Sequence, residues 1–257
     1  MVLLNIENLS VSCSNHKILN EINFSLDKGE CVGLVGESGS GKSVTAQAIM
    51  QLLDKAMHID SGKILFEGEN LLEKNEKQMQ DVRGKKIGMI FQDPLTALNP
   101  TMKVGKQIME ILLKHEKIDR QTAREFAIAL LTQMGISEPE TRFHSYPFQL
   151  SGGMRQRVMI AIAIACRPQL LISDESTTAL DVTVQAQILQ QLRSLQQNYQ
   201  MGLLLITHDL GIVAGICDKV IVMRSGSIVE NGSTDQIFYA PTNNYTKTLL
   251  QAAGAST

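Results

Sequence analysis

The sequence predicts an α/β fold built on a mainly parallel sheet and divided by an inserted helical segment. Three observations carry this. Apolar runs that read as strands alternate with amphipathic helices along the last third of the chain. One run, at residues 31–36, is apolar almost throughout, as a strand covered on both faces is. Between the strand-rich ends, from about residue 94 to 155, the apolar period changes from two to that of a helix.

The elements follow in order. Val2, Leu4 and Ile6 alternate, as do Ile22, Phe24 and Leu26, so the chain opens with half-buried strands. "KGE" at residues 28–30 is a turn into the buried strand "CVGLVG". Residues 61–71, "SGKILFEGENL", read as a further strand entered and left through glycine turns. "IGMIF" at 87–91 is another. In the middle, Val104, Ile108, Ile111 and Leu112 fall on one helical face. Ala123, Phe126, Ala127, Leu130, Leu131 and Met134 fall on a second, with Gly135 as its C-cap. "QLLIS" then returns to strand. Residues 182–197 are a helix with Ala186, Leu189 and Leu192 turned inward. "GLLLIT" and "KVIVMRSGSIVENG" complete the strands.

The totals bound the function. Hydrophobic residues make up 44% of 257 residues and charged residues 19%, enough to fill a sizeable core. The formal net charge of −2 gives no basic field for nucleic acid. Cys13, Cys31, Cys166 and Cys217 form no CxxC pair, which argues against zinc ribbons and iron–sulfur clusters and for a reducing compartment. No signal segment opens the chain. The longest apolar run, 158–166, is far short of the ~20 residues that span a bilayer. Membrane contact is therefore expected through partners.

"GESGSGKS" at residues 36–43 follows the strand ending at Val35 and fits G-x4-G-K-[ST] in full. Its glycines let successive N–H groups point inward as an anion nest, and the helix starting near Lys42 adds its positive end. Gly36, Ser38, Gly39, Ser40, Gly41, Lys42, Ser43 and Val44 are the candidate cradle. Lys42 is expected to reach the β- and γ-phosphates, and Ser43 to hold Mg²⁺. At residues 170–181, "LLISDESTTALD", an apolar strand ends in two adjacent acids. Ligands of open α/β sheets bind beyond the strands' carboxyl ends, so Asp174 is expected to face the metal and Glu175 the attacking water. Asp181 suits a helix N-cap as well as a ligand contact.

"LSGGMRQR" at residues 150–157, just before "LLISDE", narrows the reading. With it the chain strongly resembles the ABC-transporter ATPase family, whose motifs occur here in the family's order across nearly the whole length. They are the Walker A motif at 36–43, the Q-loop Gln92 in "FQDP", the signature Ser151, Gly152 and Gly153, the Walker B Asp174 with Glu175, the D-loop Asp181, and the switch histidine His208 in "ITHD". The resemblance implies a P-loop NTPase, RecA-like core with an N-terminal antiparallel β-subdomain and an inserted α-helical signature subdomain. The expected layout is one ABC ATPase domain, with 1–93 and 156–257 as core plus β-subdomain and 94–155 as the helical part. It implies ATP and Mg²⁺ as ligands, with Ser43, Gln92 and Asp174 on the metal. Glu175, His208, Gln92 and Lys42 are the implied catalytic groups. Ser151, Gly152, Gly153 and Asp181 are implied to meet ATP bound by an opposing subunit.

"FQDPLTALNPTMKVGKQIME", "TTALDVTVQAQIL" and "APTNNYTKTLL" resemble the ATPases of oligopeptide, dipeptide and nickel importers. Many longer members carry a cysteine-bearing C-terminal extension. This sequence stops soon after Leu250, which leans toward the shorter nickel- or metallophore-type members, or toward truncation. The implied partners are integral-membrane permease subunits, a second ATPase subunit (the same chain or a paralogue) and, indirectly, a substrate-binding protein. Nucleic acid is not among them. The implied location is peripheral, on the cytoplasmic face of the inner membrane. Alternative readings are the ATPase of an exporter or lipoprotein-release system, and an SMC-type DNA-maintenance ATPase. The latter would need long heptad arms before the signature, which this sequence lacks.

Three departures from the family pattern stand out. Cys13 occupies the place of the aromatic residue that stacks on adenine, with His16 as the candidate substitute. Ser176 stands where proline is usual, and Ser173 where alanine is common.

Overall fold

A computed structural model describes residues 1–14, 16–175 and 182–253. They form two compact units, one of Met1–Met79 with Gln196–Thr257 and one of Gln80–Leu195.

The first unit opens with β1 (Val2–Cys13), β2 (His16–Asp27) and β3 (Cys31–Val35), then α1 (Lys42–Ile49), β4 (Met57–Phe66) and β5 (Glu69–Asn70). A 3₁₀ turn, Leu71–Glu73, leads to α2 (Glu76–Val82). β1 pairs antiparallel with both β2 and β4, which gives the sheet order β2-β1-β4-β5. This is the antiparallel β-subdomain the resemblance implied. Leu4 sits opposite Leu26 on one side and Phe66 on the other, so the alternating apolar residues of three strands share one face. β4 begins at Met57, four residues earlier than the sequence indicated. Its first half, Met57 to Ser61, has only Met57 and Ile59 as apolar residues, both half-buried, between exposed His58, Asp60 and Ser61, too short an alternation to stand out.

The second unit contains β6 (Ile87–Ile90), α3 (Pro94–Ala97), α4 (Val104–His115), α5 (Arg120–Gln133), α6 (Pro139–Phe143), a 3₁₀ turn at Pro147–Gln149, α7 (Gly152–Ile164), β7 (Leu170–Asp174) and α8 (Val182–Tyr199). β6 and β7 are parallel neighbours, with Ile87 opposite Leu170 and Ile90 opposite Ser173. The helices of 94–155 all lie in this unit. α5 ends at Gln133, and Gly135 follows at φ +69, the left-handed C-terminal position expected for it.

Two faces differ from expectation. Phe126 is 47% exposed although its spacing matches the buried Ala123, Ala127 and Leu131. In α8, Leu189 and Leu192 turn inward as expected, joined by Ile188 and Leu195, but Ala186 is exposed. A helix of 3.6-residue period offers several overlapping apolar stripes, and the neighbours it meets choose among them.

The first unit resumes with β8 (Gly202–Thr207), α9 (Leu210–Ile216), β9 (Lys219–Arg224), β10 (Ser227–Ser233), α10 (Thr234–Tyr239) and α11 (Asn244–Ala252). Strand order here is β10-β9-β3-β8, with β3 parallel to both neighbours and β10 antiparallel at the edge. All five residues of β3 and all six of β8 are buried, which explains their unbroken apolar sequences. No helix among the described residues is long and apolar enough to cross a membrane.

Candidate nucleotide site

Val35 ends β3 opposite Thr207 at the end of β8, so the loop at 36–43 and His208 leave neighbouring strand ends. The loop curls tightly. Gly41 caps α1 at φ +103, and a Cβ there would lie 2.6 Å from Leu19 Cδ2. At Gly36, φ +153, a Cβ would lie 2.2 Å from the Met223 carbonyl oxygen of β9. Both positions exclude side chains, which is the physical content of the two glycines.

Lys42 is 4% exposed, and its Nζ donates to the carbonyls of Gly36 (2.8 Å) and Glu37 (2.9 Å). A lysine buried in the bend of a loop rich in backbone N–H groups suits a polyphosphate, whose oxygens are stronger acceptors than carbonyls. Ser40 is buried, Ser43 and Val44 half-buried, and Ser38 and Gly39 exposed, so the predicted cradle residues form one loop with an open face. His208 is exposed on its strand end, beside Asp209, which caps α9 by accepting from the Gly211 N–H at 2.8 Å.

In the second unit the end of β7 carries Asp174, 6% exposed, and half-buried Glu175. Glu175 adopts φ +44, the left-handed region that non-glycine residues rarely take and that clusters at functional positions. Gln92, from the segment after the neighbouring strand β6, donates its Nε2 to Glu175 Oε2 at 3.0 Å. Two residues predicted from separate motifs are thus brought together. Within this unit the Asp174 carboxylate and the Gln92 amide offer oxygen ligands of the kind Mg²⁺ takes.

The signature triplet lies at the start of α7. Ser151 is its N-cap, accepting from the Met154 N–H at 3.3 Å, and Ser151 and Gly152 are exposed while Gly153 is half-buried. Arg157 braces this helix from one turn on. Its guanidinium donates to Met134 O at 2.7 Å, Gln187 Oε1 at 3.2 Å and Gln191 Oε1 at 3.3 Å, tying α7 to the end of α5 and to α8. Asp181 and Ser176 lie outside the described residues. Ser173 is fully buried in β7. Cys13 and His16 face each other in register where β1 meets β2, and His16 is exposed there.

Sequence reasoning missed Tyr245. It lies in the tail segment "APTNNYT", and its hydroxyl takes the backbone N–H of Glu37, in the cradle, at 3.2 Å. The pair is 208 positions apart, and no local pattern signals it.

Comparison with known proteins gives the family. The sequence profile described as ABC transporter matches residues 19–178. The oligopeptide transport ATP-binding protein OppD of Bacillus subtilis (strain 168) is 54% identical over 253 residues, 96% of this chain and 71% of that protein. The dipeptide transport ATP-binding protein DppD of Escherichia coli (strain K12) is 51% identical over 256 residues, 98% of this chain and 78% of that one. Among solved structures, cbiO1 of Clostridium perfringens, part of the ABC transporter complex cbiONQ, aligns with a TM-score of 0.81 at 28% identity, covering 93% of this chain and 91% of its own. The cassette MJ0796, in a dimeric post-hydrolysis state bound to ADP and Pi, shares the fold with a TM-score of 0.80 at 24% identity over 90% of this chain and 99% of its own. The chain belongs to the ABC transporter family, as one of its ATP-binding and ATP-hydrolysing subunits.

Proposed function

We propose that this chain energises a membrane importer of peptides, working as one of two paired ATPases on the cytoplasmic face of the membrane. The observation that carries the pairing is the exposed Ser151-Gly152 start of α7, a 13-residue helix. A phosphate cradle already exists at 36–43, so a second exposed, glycine-bearing helix N-terminus suits a phosphate offered by another subunit. The names of the relatives support peptides as cargo over nickel.

The residues divide the work. Backbone N–H groups of Gly36, Ser38, Gly39, Ser40, Gly41, Lys42, Ser43 and Val44 hold the phosphates. Lys42 exchanges the carbonyls of Gly36 and Glu37 for phosphate oxygens and neutralises their charge. Ser43, Gln92 and Asp174 would hold Mg²⁺, which when bound supplies charge neutralisation at the phosphate oxygens. Glu175 accepts a proton from the attacking water, and the Gln92 amide orients its carboxylate. His208 donates to the γ-phosphate. Ser151, Gly152, Gly153 and Asp181 meet the nucleotide of the opposing subunit. Closure around two nucleotides would pull on permease subunits, and hydrolysis would release them. A binding protein outside would deliver the cargo.

The test is a pull-down of the tagged chain from native membranes in gentle detergent. Two permease subunits, a second ATPase and a peptide-type binding protein are expected. A nickel-type binding protein would overturn the cargo. Chromosomal or ribosomal proteins in place of a permease would overturn the transport role.

A further inference from the structure

The Gly36–Glu37 peptide is held from both sides. Its carbonyl accepts from Lys42 Nζ at 2.8 Å, and its N–H donates to Tyr245 Oη at 3.2 Å. In a trans peptide these two groups point in opposite directions, so a partner on each side fixes the plane.

Tyr245 is itself fixed. It is 7% exposed, and the guanidinium of Arg224, last residue of β9, lies 4.7 Å from its ring centroid. Its helix α11 is pinned to β10. The carboxylate of Glu230, 9% exposed, accepts from Thr242 N (2.6 Å), Thr242 Oγ1 (2.7 Å) and Asn243 N (3.2 Å). Asn243 then caps the helix by accepting from Tyr245 N at 2.8 Å, and its Nδ2 donates to Val229 O at 3.2 Å. A hydrogen-bonded line thus runs from the edge strand through the last helix to the peptide on which Lys42 rests.

We propose that Tyr245 is a positioning residue for ATP binding: its hydroxyl fixes the Gly36–Glu37 peptide plane, and so sets where Lys42 waits and how the phosphate loop is preorganised. The proposal rests on reading residues 36–43 as the ATP phosphate cradle. Removing the hydroxyl leaves the ring, its packing and the Arg224 contact in place, but leaves the plane free to turn. A single neutral hydrogen bond of this kind corresponds to about a fivefold change in an equilibrium constant.

The experiment compares the full chain, Tyr245→Phe, Glu230→Gln and Lys42→Ala by titration with a fluorescent ATP analogue, by steady-state ATPase kinetics and by thermal unfolding. Tyr245→Phe is expected to weaken ATP binding about fivefold, with a rise in KM that exceeds any fall in kcat and a Tm within about 2 °C of the parent. Glu230→Gln is expected to shift binding in the same direction, because it loosens the helix that carries Tyr245. Binding by Tyr245→Phe within twofold of the parent, while Lys42→Ala loses ATP, overturns the proposal and leaves the cradle reading intact. A weakening that comes with a comparable fall in kcat and a Tm drop above about 5 °C also overturns it, since the hydroxyl would then serve general stability. Undiminished ATP binding by Lys42→Ala would instead overturn the cradle reading itself.

Discussion

Replacing Gly36 with alanine should damage stability and nucleotide binding together. The added Cβ would lie 2.2 Å from the carbonyl oxygen of Met223 and 3.2 Å from its carbonyl carbon. The obstacle is backbone, in a strand paired with β3 through Val35 and Val222, so it cannot swing aside as a side chain can. Forcing extra volume into a packed core costs about 1–3 kcal/mol. Holding a non-glycine residue near φ +153 costs a further ~1–3 kcal/mol. A total of about 4 kcal/mol is expected, a large share of the roughly 5–15 kcal/mol that holds a typical domain folded. At ~2–4 °C per kcal/mol for a chain of this size, Tm should fall by about 8–16 °C. Circular dichroism against temperature measures this. The same samples, titrated with fluorescent ATP at a temperature where the variant is folded, should show weakened binding, because the Gly36 carbonyl that receives Lys42 has moved. A Tm within about 2 °C of the parent, with binding intact, would refute the close approach of loop and strand.

Other consequences can be checked more simply. Gly105→Ala sets helix propensity, a gain of ~1 kcal/mol, against a Cβ 2.1 Å from the ring of buried Phe143, at ~3 kcal/mol. A net loss of about 2 kcal/mol is expected in thermal unfolding, partly recovered by adding Phe143→Leu. Burial pushes the Glu230 carboxyl up, but the neighbouring Thr246 hydroxyl and the donors of Thr242 and Asn243 outweigh it and hold the group below its ordinary 4.5. Its stabilising contribution is therefore complete above that value and is lost as pH falls through the lower folded one. Glu230→Gln should flatten the acid limb of a stability-against-pH curve. Burial, helped by Glu116 and opposed by Lys85, pushes the Cys166 thiol up to about 11. Its alkylation, followed by peptide mass, should be slow at neutral pH and rise about tenfold per pH unit toward that value.

Much of this site was legible because phosphate and metal chemistry restricts residue types at fixed spacings. Gly36, Gly41 and Lys42 could be read from one loop, and Asp174 with Glu175 from one strand end. The hydrogen bond of Gln92 to Glu175 was not legible, because the sequence placed each just past a strand without making those strands neighbours. The strands β3 and β8 were legible because burial on both faces leaves an apolar run. What escaped was decided by tertiary neighbours. The outward turn of Phe126 and Ala186 depends on which stripe of each helix finds a partner. The first half of β4 offers only Met57 and Ile59 as alternating apolar residues, a pattern too short to mark a strand. Tyr245 reaches the phosphate loop across most of the chain's length, and its segment was noted only for its family likeness.

The most direct test of the account is peptide uptake by cells that lack this chain and are complemented with the wild type or with Glu175→Gln. The account predicts that wild type restores ATP-driven uptake of a labelled oligopeptide. Glu175→Gln should leave it at background, because loss of the proton-accepting carboxylate slows hydrolysis by about 10²–10⁴-fold. Uptake at the wild-type level with Glu175→Gln, or in cells with no copy at all, would contradict it.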